Sequence, residues 1–388
     1  MKNNNTSTNL KKYKVAILVF NNFLYDSRVL REAISLKKGG YDVKVIAFHE
    51  KGLPEFEYKE AIPVYRIKLK SRSWSKSYFV QIIKWIELFY RIFKNHRDAD
   101  FYHVCDVLPL PVGMLIKKYG NKNAKVIYDA HELEFDKNVD RKFYGKLISF
   151  LEARYIKKVD AMMTVSQPIA AAYGEHYNIT PPKVVMNCAN LQEVKPNHVF
   201  RKKFKLLPEQ KIILYQGSLK PNRGVEELLE AFKTFSEKYV LVLLGIPYTD
   251  AYLDYLKSEM AKVNNIFYHP AVAPHELLSY TASADIGTYI IQKTNRSHDM
   301  SLGNKIFEYI HAGLPIITSD LIVTREVIGS KLGFVLKEDS TEEIKLAIDT
   351  ILKNGIDNYK KDLRIAAQKY NWENQESIML EIYESLKS

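Results

Sequence analysis

Short apolar, β-branched runs alternate with amphipathic stretches along most of the 388-residue chain, and this alternation constrains the fold more than any other feature. Residues 13–20 (YKVAILVF) are long enough for one buried parallel strand. In 27–38, Val29, Leu30, Ala33, Ile34 and Leu36 recur at helical spacing, and Gly39-Gly40 stops that helix. Residues 42–48 (DVKVIAF) supply the next strand, which completes one βαβ unit. Further strands are predicted at 64–69, 101–104, 125–128, 161–165 and 184–185. A second series follows, with strands at 211–216, 240–244, 266–268, 286–289 and 315–318. Helices are predicted at 225–239, 251–263, 274–283, 304–312 and 341–353, and a last one at 372–386. Two successive βα series predict an α/β protein with two doubly wound parallel sheets, whose ligand sites lie beyond the carboxyl ends of the strands.

Residues 77–94 stand apart. Gln81, Lys84, Glu87, Arg91 and Lys94 form one narrow polar stripe, and nearly everything else is aliphatic or aromatic. So wide an apolar face is normally buried against a sheet, and core packing is expected for most of it. Trp74 and the neighbouring basic residues make contact with a membrane surface the alternative for the 74–84 end.

Composition narrows the function class. Residues 1–190 carry 32 Lys and Arg against 19 Asp and Glu, whereas the remainder carries 25 against 26, so the net charge of +12 belongs to the first half. A field of that sign attracts lipid headgroups, polyphosphates or nucleic acid; a solvated lysine-rich surface is the plain alternative. No basic–aromatic recognition motif accompanies the charge, which argues against a nucleic-acid partner. Two cysteines, Cys105 and Cys188, read as reduced thiols, and no Cys/His spacing fits a zinc site. No run of about 18 apolar residues reads as a membrane span. Residues 1–12 lack the apolar core of a signal peptide and read as a disordered tail, so a cytoplasmic location is expected.

The densest chemistry lies in 297–320 (SHDMSLGNKIFEYIHAGLPIITSD). Ser301, Leu302 and Gly303 lead into a helix at Asn304, and a helix start offers unpaired N–H groups and partial positive charge to a diphosphate. Gly303 lets a phosphate approach the backbone. Lys305 is poorly placed in a first turn unless an anion is bound there, because the helix dipole repels it by ~0.3–1 kcal/mol. Glu308 shares a face with Asn304 and Lys305, where its carboxylate suits a ribose diol.

NKIFEYIHAGLPII resembles the donor-binding motif of the family 4 glycosyltransferases, retaining enzymes of the GT-B fold. Other segments agree with it. Residues 26–33 (DSRVLREA) with 40–43 resemble that family's first helix and second strand, and 128–133 (YDAHEL) the loop carrying its active-site histidine. Residues 217–224 (GSLKPNRG) resemble the first turn of its donor domain, and Trp372 the aromatic that opens its closing helix. The resemblance spans roughly 13 to 388. It implies two Rossmann-like domains facing a cleft. Residues 13–190 form an acceptor domain, joined by a C-terminal helix over 371–388 that crosses back to it, and 191–210 a linker. Residues 211–370 form a nucleotide-sugar donor domain.

Carried over by position, the resemblance implies that Glu308 bonds the ribose and that Arg223 grips the diphosphate with help from Lys305. Gly303 approaches the phosphate and sugar, Gly217 belongs to the donor-binding turn, Val272 lies near the base, and His131 reaches a sugar hydroxyl. Two departures matter. Met300 stands where the family carries its first glutamate, leaving Asp299 and His298 as candidates for that contact. The first loop lacks the usual glycine pair, leaving Asn21, Asn22 and Arg28 as candidates for acceptor or phosphate contacts. The implied activity moves a sugar from a nucleoside diphosphate to a glycan or polyprenol-linked acceptor, with retention, as in cell-surface polysaccharide synthesis. Arg and Lys neutralise charge in place of a metal, so no cofactor is expected. Attachment to the inner face of a membrane is a further expectation. An epimerase, an inverting transferase and a non-catalytic nucleotide-sugar binder are the competing readings. Asp98-Ala99-Asp100 matches a metal motif of a different transferase fold, but it precedes a strand and reads as a polar turn. His103 and Asp106 flank the next strand end, where structural roles are at least as well supported.

Overall fold

The computed structural model describes residues 12–75, 77–137, 142–195, 197–293, 296–300 and 302–387, so the predicted tail lies almost wholly outside the described residues. The chain divides into two units. One comprises 1–165, 170–185 and 376–388; the other comprises 166–169 and 186–375.

The first unit is built on β1 (Lys14–Leu18), β2 (Asp42–Phe48), β3 (Phe56–Lys59), β4 (Ile62–Ile67), β5 (Phe101–Cys105), β6 (Lys125–Ala130), β7 (Ala161–Thr164) and β8 (Lys183–Val184). They form one sheet in the order β3-β4-β2-β1-β5-β6-β7-β8, parallel except where β3 pairs with β4. Val15 to Leu18 are all fully buried, because the central strand is covered on both faces. Helix Ser27–Lys38 starts where Asp26 accepts a hydrogen bond from the Val29 N–H (3.1 Å), and it ends where the Gly39 N–H reaches Ser35 O (2.8 Å). From Glu376 onward, helix Trp372–Ser385 belongs to this unit. Tyr383 packs its ring 5.2 Å from Phe101 and 5.4 Å from Tyr41, and its hydroxyl meets His103 Nδ1 at 2.8 Å. Asp98 pairs with Lys14 and Lys44, and Asp100 accepts from the Lys14 N–H. The Asp-x-Asp segment is thus a polar turn at the amino ends of the strands.

Helix Tyr78–His96 departs from expectation. Leu88 and Ile92 are buried, but Phe79, Ile82, Ile83, Ile86 and Tyr90 are exposed. The sheet covers only one side of a helix whose apolar surface wraps most of its circumference.

The second unit holds β9 (Lys211–Leu219), β10 (Tyr239–Pro247), β11 (Ile266–Pro270), β12 (Ile286–Tyr289), β13 (Ile316–Thr318) and β14 (Gly333–Val335), all parallel, in the order β11-β10-β9-β12-β13-β14. This is a dinucleotide-fold order, and the crevice where it reverses lies beyond β9 and β12. The 191–210 stretch read as a linker contains helix Val199–Phe204. Its buried Phe200 sits 5.9 Å from His269, and Phe204 stacks on Phe267 at 4.6 Å. That packing places the stretch in the second unit. Among the described residues, no helix is long and apolar enough to cross a membrane.

Candidate active site

Helix Asn304–Ala312 buries Ile306, Phe307, Tyr309, Ile310 and His311, which turns Asn304, Lys305 and Glu308 toward the other side. It ends at Gly313, whose left-handed φ of 72° returns its N–H to Ile310 O. Among the described residues no side chain caps its start; the Ile306 N–H turns back to Gly303 O (3.1 Å), which leaves the Asn304 and Lys305 N–H groups for an anion.

Lys305 runs under the carboxyl end of β9. Its ammonium lies 3.8 Å from the centre of the Tyr215 ring, and a Cβ on Gly217 would stand 3.0 Å from Lys305 Cε. Burial and the neighbouring Arg223 lower the Lys305 pKa to about 7, against the opposing pull of Glu308. Among the described residues, neither Lys305 nor Arg223 makes an ion pair. Glu308 Oε2 accepts a hydrogen bond from the Gln216 amide, whose own oxygen accepts from the Thr281 hydroxyl at 2.8 Å. The Gln216 N–H in turn donates to Tyr309 Oη at 3.2 Å. Gln216, Tyr215, Tyr289 and Thr281 therefore shape this site without having been singled out in the sequence. The only available signal was that Tyr215 and Gln216 immediately precede Gly217 at a strand end.

Two roles change here. The Gly303 N–H donates to Tyr289 Oη (3.0 Å), and a Cβ at 303 would sit 2.6 Å from that ring. Gly303 is glycine because Tyr289 packs on it, and its N–H is spent on a tyrosine. Asp299 caps helix Ile322–Val327, accepting from the Ile322 N–H at 3.2 Å with Lys293 3.9 Å away. Its carboxylate is thus anchored as well as charged. Val272 packs at the edge of this unit's core. Ser301 and the side chain of His298 lie outside the described residues.

In the first unit, β6 delivers Asp129 and then His131 to the carboxyl edge of the sheet. Asp129 is fully buried and accepts from Arg28 Nε (3.1 Å), Arg28 Nη2 (2.9 Å) and His131 Nε2 (2.6 Å). Burial alone would raise the Asp129 pKa, but Arg28 and His131 outweigh it and hold the carboxyl well below its usual range. Burial opposes the charged His131 ring, yet Asp129 and Asp106 raise its pKa to about 10. Its other nitrogen, Nδ1, lies 3.8 Å from Asp106. Glu32, fully buried beside Arg28 (2.9 Å), is pushed by burial up to about 7.

Arg28, a candidate for acceptor or phosphate contacts, is committed inside the fold. It is buried, and Nη1 is spent on Val185 O (2.8 Å) while the rest of its fork serves the two carboxylates. Asn21 and Asn22 likewise build their own loop. Asn21 Oδ1 takes the Phe23 N–H and Asn22 Oδ1 the Leu24 N–H, while their amides reach Asp26 and Glu50. Ligand atoms of Glu32, His103, Cys105 and Asp129 lie within 4.8 Å of one another, but the Arg28 guanidinium, paired with both carboxylates, already supplies the positive charge that a metal would bring to this group.

Two doubly wound parallel-sheet units, one with a cationic helix start beyond β9, define a glycosyltransferase of the GT-B type. The model of the family described as Glycosyltransferase Family 4 matches residues 27–193, and that described as Glycosyl transferases group 1 matches 197–372. The chain is a family 4-type glycosyltransferase. An uncharacterized glycosyltransferase from Methanocaldococcus jannaschii is 22% identical over 324 residues, covering 78% of this chain and 79% of that protein. Among solved structures, sucrose-phosphate synthase from Thermosynechococcus elongatus shares the fold at a TM-score of 0.78 with 18% identity, covering 97% of this chain and 99% of that one. Anabaena HepE in complex with UDP-glucose matches at 0.75 with 14% identity, covering 96% and 99%. The lipopolysaccharide glycosyltransferase WaaG matches at 0.71 with 16% identity, covering 94% and 97%.

Proposed function

We propose that the chain transfers a sugar from a nucleoside diphosphate donor to a glycan or polyprenol-linked acceptor, with retention of anomeric configuration and without a metal. The observation that carries this reading is the pair Lys305, in the first turn of Asn304–Ala312, and Arg223, near enough to lower its pKa, two cations that make no ion pair among the described residues. Cleaving a sugar–phosphate bond puts negative charge on the leaving diphosphate. Fixed donors aimed at that charge lower the barrier, typically by about 2.7–4 kcal/mol for one donor. Glu308, held by Gln216, is placed for a ribose diol. His131, held as imidazolium by Asp129, offers a donor to a sugar hydroxyl. UDP-glucose in HepE supports a uridine donor by analogy. The chemistry suits the cytoplasmic side of a membrane, where a lipid-linked acceptor in surface-polysaccharide synthesis presents its head group.

Calorimetric titration with UDP, GDP and ADP, followed by turnover and product-anomer assays, tests the proposal. One of the three nucleotides binds, and the product keeps the donor's anomeric configuration. Inversion or epimerised donor refutes the retaining transfer. Met300 at the family's glutamate position, with Asp299 committed to Ile322, motivates the second reading of a nucleotide-sugar binder. Tight binding without turnover across acceptors supports that one.

A further inference from the structure

Helix Tyr78–His96 carries an apolar surface that the fold does not use. Phe79, Ile82, Ile83, Ile86 and Tyr90 recur at steps of 3, 1, 3 and 4, so they share one face, and they are 79%, 42%, 44%, 62% and 61% exposed. Its inner side is conventionally packed. Leu88 and Ile92 are buried, and Trp85 and Phe89 join Phe20 with ring centres 5.5 and 6.3 Å away. Large apolar side chains are normally buried, so five left in water on one face mark a contact surface.

The charges around this face select its partner. Glu87 is the helix's one acidic residue, and it faces the protein: it accepts from the Lys70 and Ser71 N–H groups and from the Ser71 hydroxyl, and it pairs with Arg91 at 2.8 Å. Basic residues border the exposed face. At its carboxyl end Lys94 lies 6.0 Å from the Tyr90 ring and Arg97 lies 5.4 Å from Phe93. At its amino end Arg72 and the half-exposed Trp74 line a cavity of about 560 Å³ on the other side of the helix, with Gln81, Lys84, Trp85 and Leu88, and so do not border this face. A protein partner of this shape would need acidic residues placed around an apolar groove. An anionic bilayer supplies both an apolar interior and a negative surface everywhere, at no cost in specificity.

We propose that helix Tyr78–His96 lies in the surface of an anionic lipid bilayer, with Phe79, Ile82, Ile83, Ile86 and Tyr90 in the acyl boundary and Lys94 and Arg97 on headgroup phosphates.

The test is co-sedimentation of the full chain with phosphatidylcholine vesicles prepared with and without phosphatidylglycerol. The chain sediments with the anionic vesicles, sediments roughly tenfold less with the neutral ones, and is released by salt. Ile82→Asp combined with Ile86→Asp reduces binding to anionic vesicles roughly tenfold or more. Both positions are exposed, so nucleotide titration and thermal unfolding stay unchanged and report an intact fold. Lys94→Glu with Arg97→Glu removes the preference for anionic over neutral lipid. Three outcomes overturn the proposal: no sedimentation of the wild type with anionic vesicles, equal binding by the double-Asp variant, or a concentration-dependent dimer in analytical ultracentrifugation that the double-Asp variant abolishes. The last would assign the face to a second copy of the chain. Failure here leaves the nucleotide titration untouched, so this inference and the donor reading fail separately.

Discussion

Asp129 and His131 stand two residues apart at the end of β6, and the buried carboxylate accepts the imidazole Nε2 proton at 2.6 Å. The same carboxylate carries the Arg28 fork. One buried anion therefore sets both the orientation and the charge of the histidine. Asp129→Asn removes that anion. The His131 pKa should fall from about 10 toward the ordinary histidine range, near 6.5. NMR of the imidazole protons would show no titration between roughly pH 5 and 8 in the wild type and a full transition in the variant. The variant also leaves Glu32 as the one carboxylate paired with the buried Arg28 among the described residues, so unfolding should cost about 3–5 kcal/mol less.

The same pair sets how stability depends on pH. The His131 pKa is raised on folding, so its contribution is fully present below about 6.5 and is lost as pH rises through about 10. The Asp129 pKa is depressed, so its contribution is present above about 3.9 and is lost as pH falls. Urea unfolding of the wild type and of His131→Gln should therefore differ most between about pH 4 and 6.5, where both groups are charged in the folded chain, and converge toward strongly alkaline pH. A gap that persists unchanged into alkali would show that the charged ring contributes nothing.

Lys305 gives the donor site a proton signature. Its pKa near 7 in the free protein must rise when a diphosphate arrives, because the anion favours the ammonium. Below about pH 7 the lysine is already charged and binding is tightest. Above it, binding takes up a proton, and affinity falls as pH rises. Calorimetry with UDP in buffers of different ionisation enthalpy should show uptake approaching one proton near pH 8 to 9, on the order of the fraction deprotonated. Lys305→Met should bind more weakly and show no uptake from this group.

Much of this was legible from local pattern alone. The helices at 27–38 and 304–312 and the strands at 42–48 and 286–289 have the ends predicted, because Asp26, Gly39 and Gly313 are local stop and start signals. The strand Phe56–Lys59 was not legible. As an edge strand paired on one side only, its residues alternate between exposed and half-buried, without a buried apolar face. Helix Ile356–Lys369 buries Tyr359, Leu363, Ala366 and Ala367 at helical spacing, but two alanines among lysines give a faint stripe. In the site, Lys305 and Glu308 followed from helical geometry. Arg28 did not, because its role depends on Asp129, 101 residues away, and a helical arginine gives no local sign of being buried.

Glu308 and Arg223 should divide affinity from fold. Glu308→Ala removes a carboxylate that is anchored by Gln216, and Arg223→Ala removes a partly buried cation that makes no ion pair among the described residues. Charged hydrogen bonds contribute about 1.5–3 kcal/mol, so each variant should weaken nucleotide binding roughly ten- to hundredfold. Most of the nucleotide-induced thermal shift should vanish with it. The melting temperature without ligand should stay close to wild type. Unchanged ligand-induced shifts in both variants would refute the site.

Gly217 tests whether the Lys305 ammonium needs its present path. Gly217 has φ 115°, and an added Cβ would approach Lys305 Cε to 3.0 Å. Gly217→Ala therefore imposes two penalties, backbone strain of about 1–3 kcal/mol and displacement of the lysine stem. Gly52 provides the control, because its φ is 93° but a Cβ there meets nothing within 4 Å. Gly52→Ala should lower the melting temperature through strain alone and leave nucleotide affinity unaltered. Gly217→Ala should lower the melting temperature and also weaken UDP binding several-fold, while shifting the pH at which proton uptake appears. Equal affinity in the two variants would mean that the Lys305 side chain can leave its place beside Gly217 without consequence for the diphosphate.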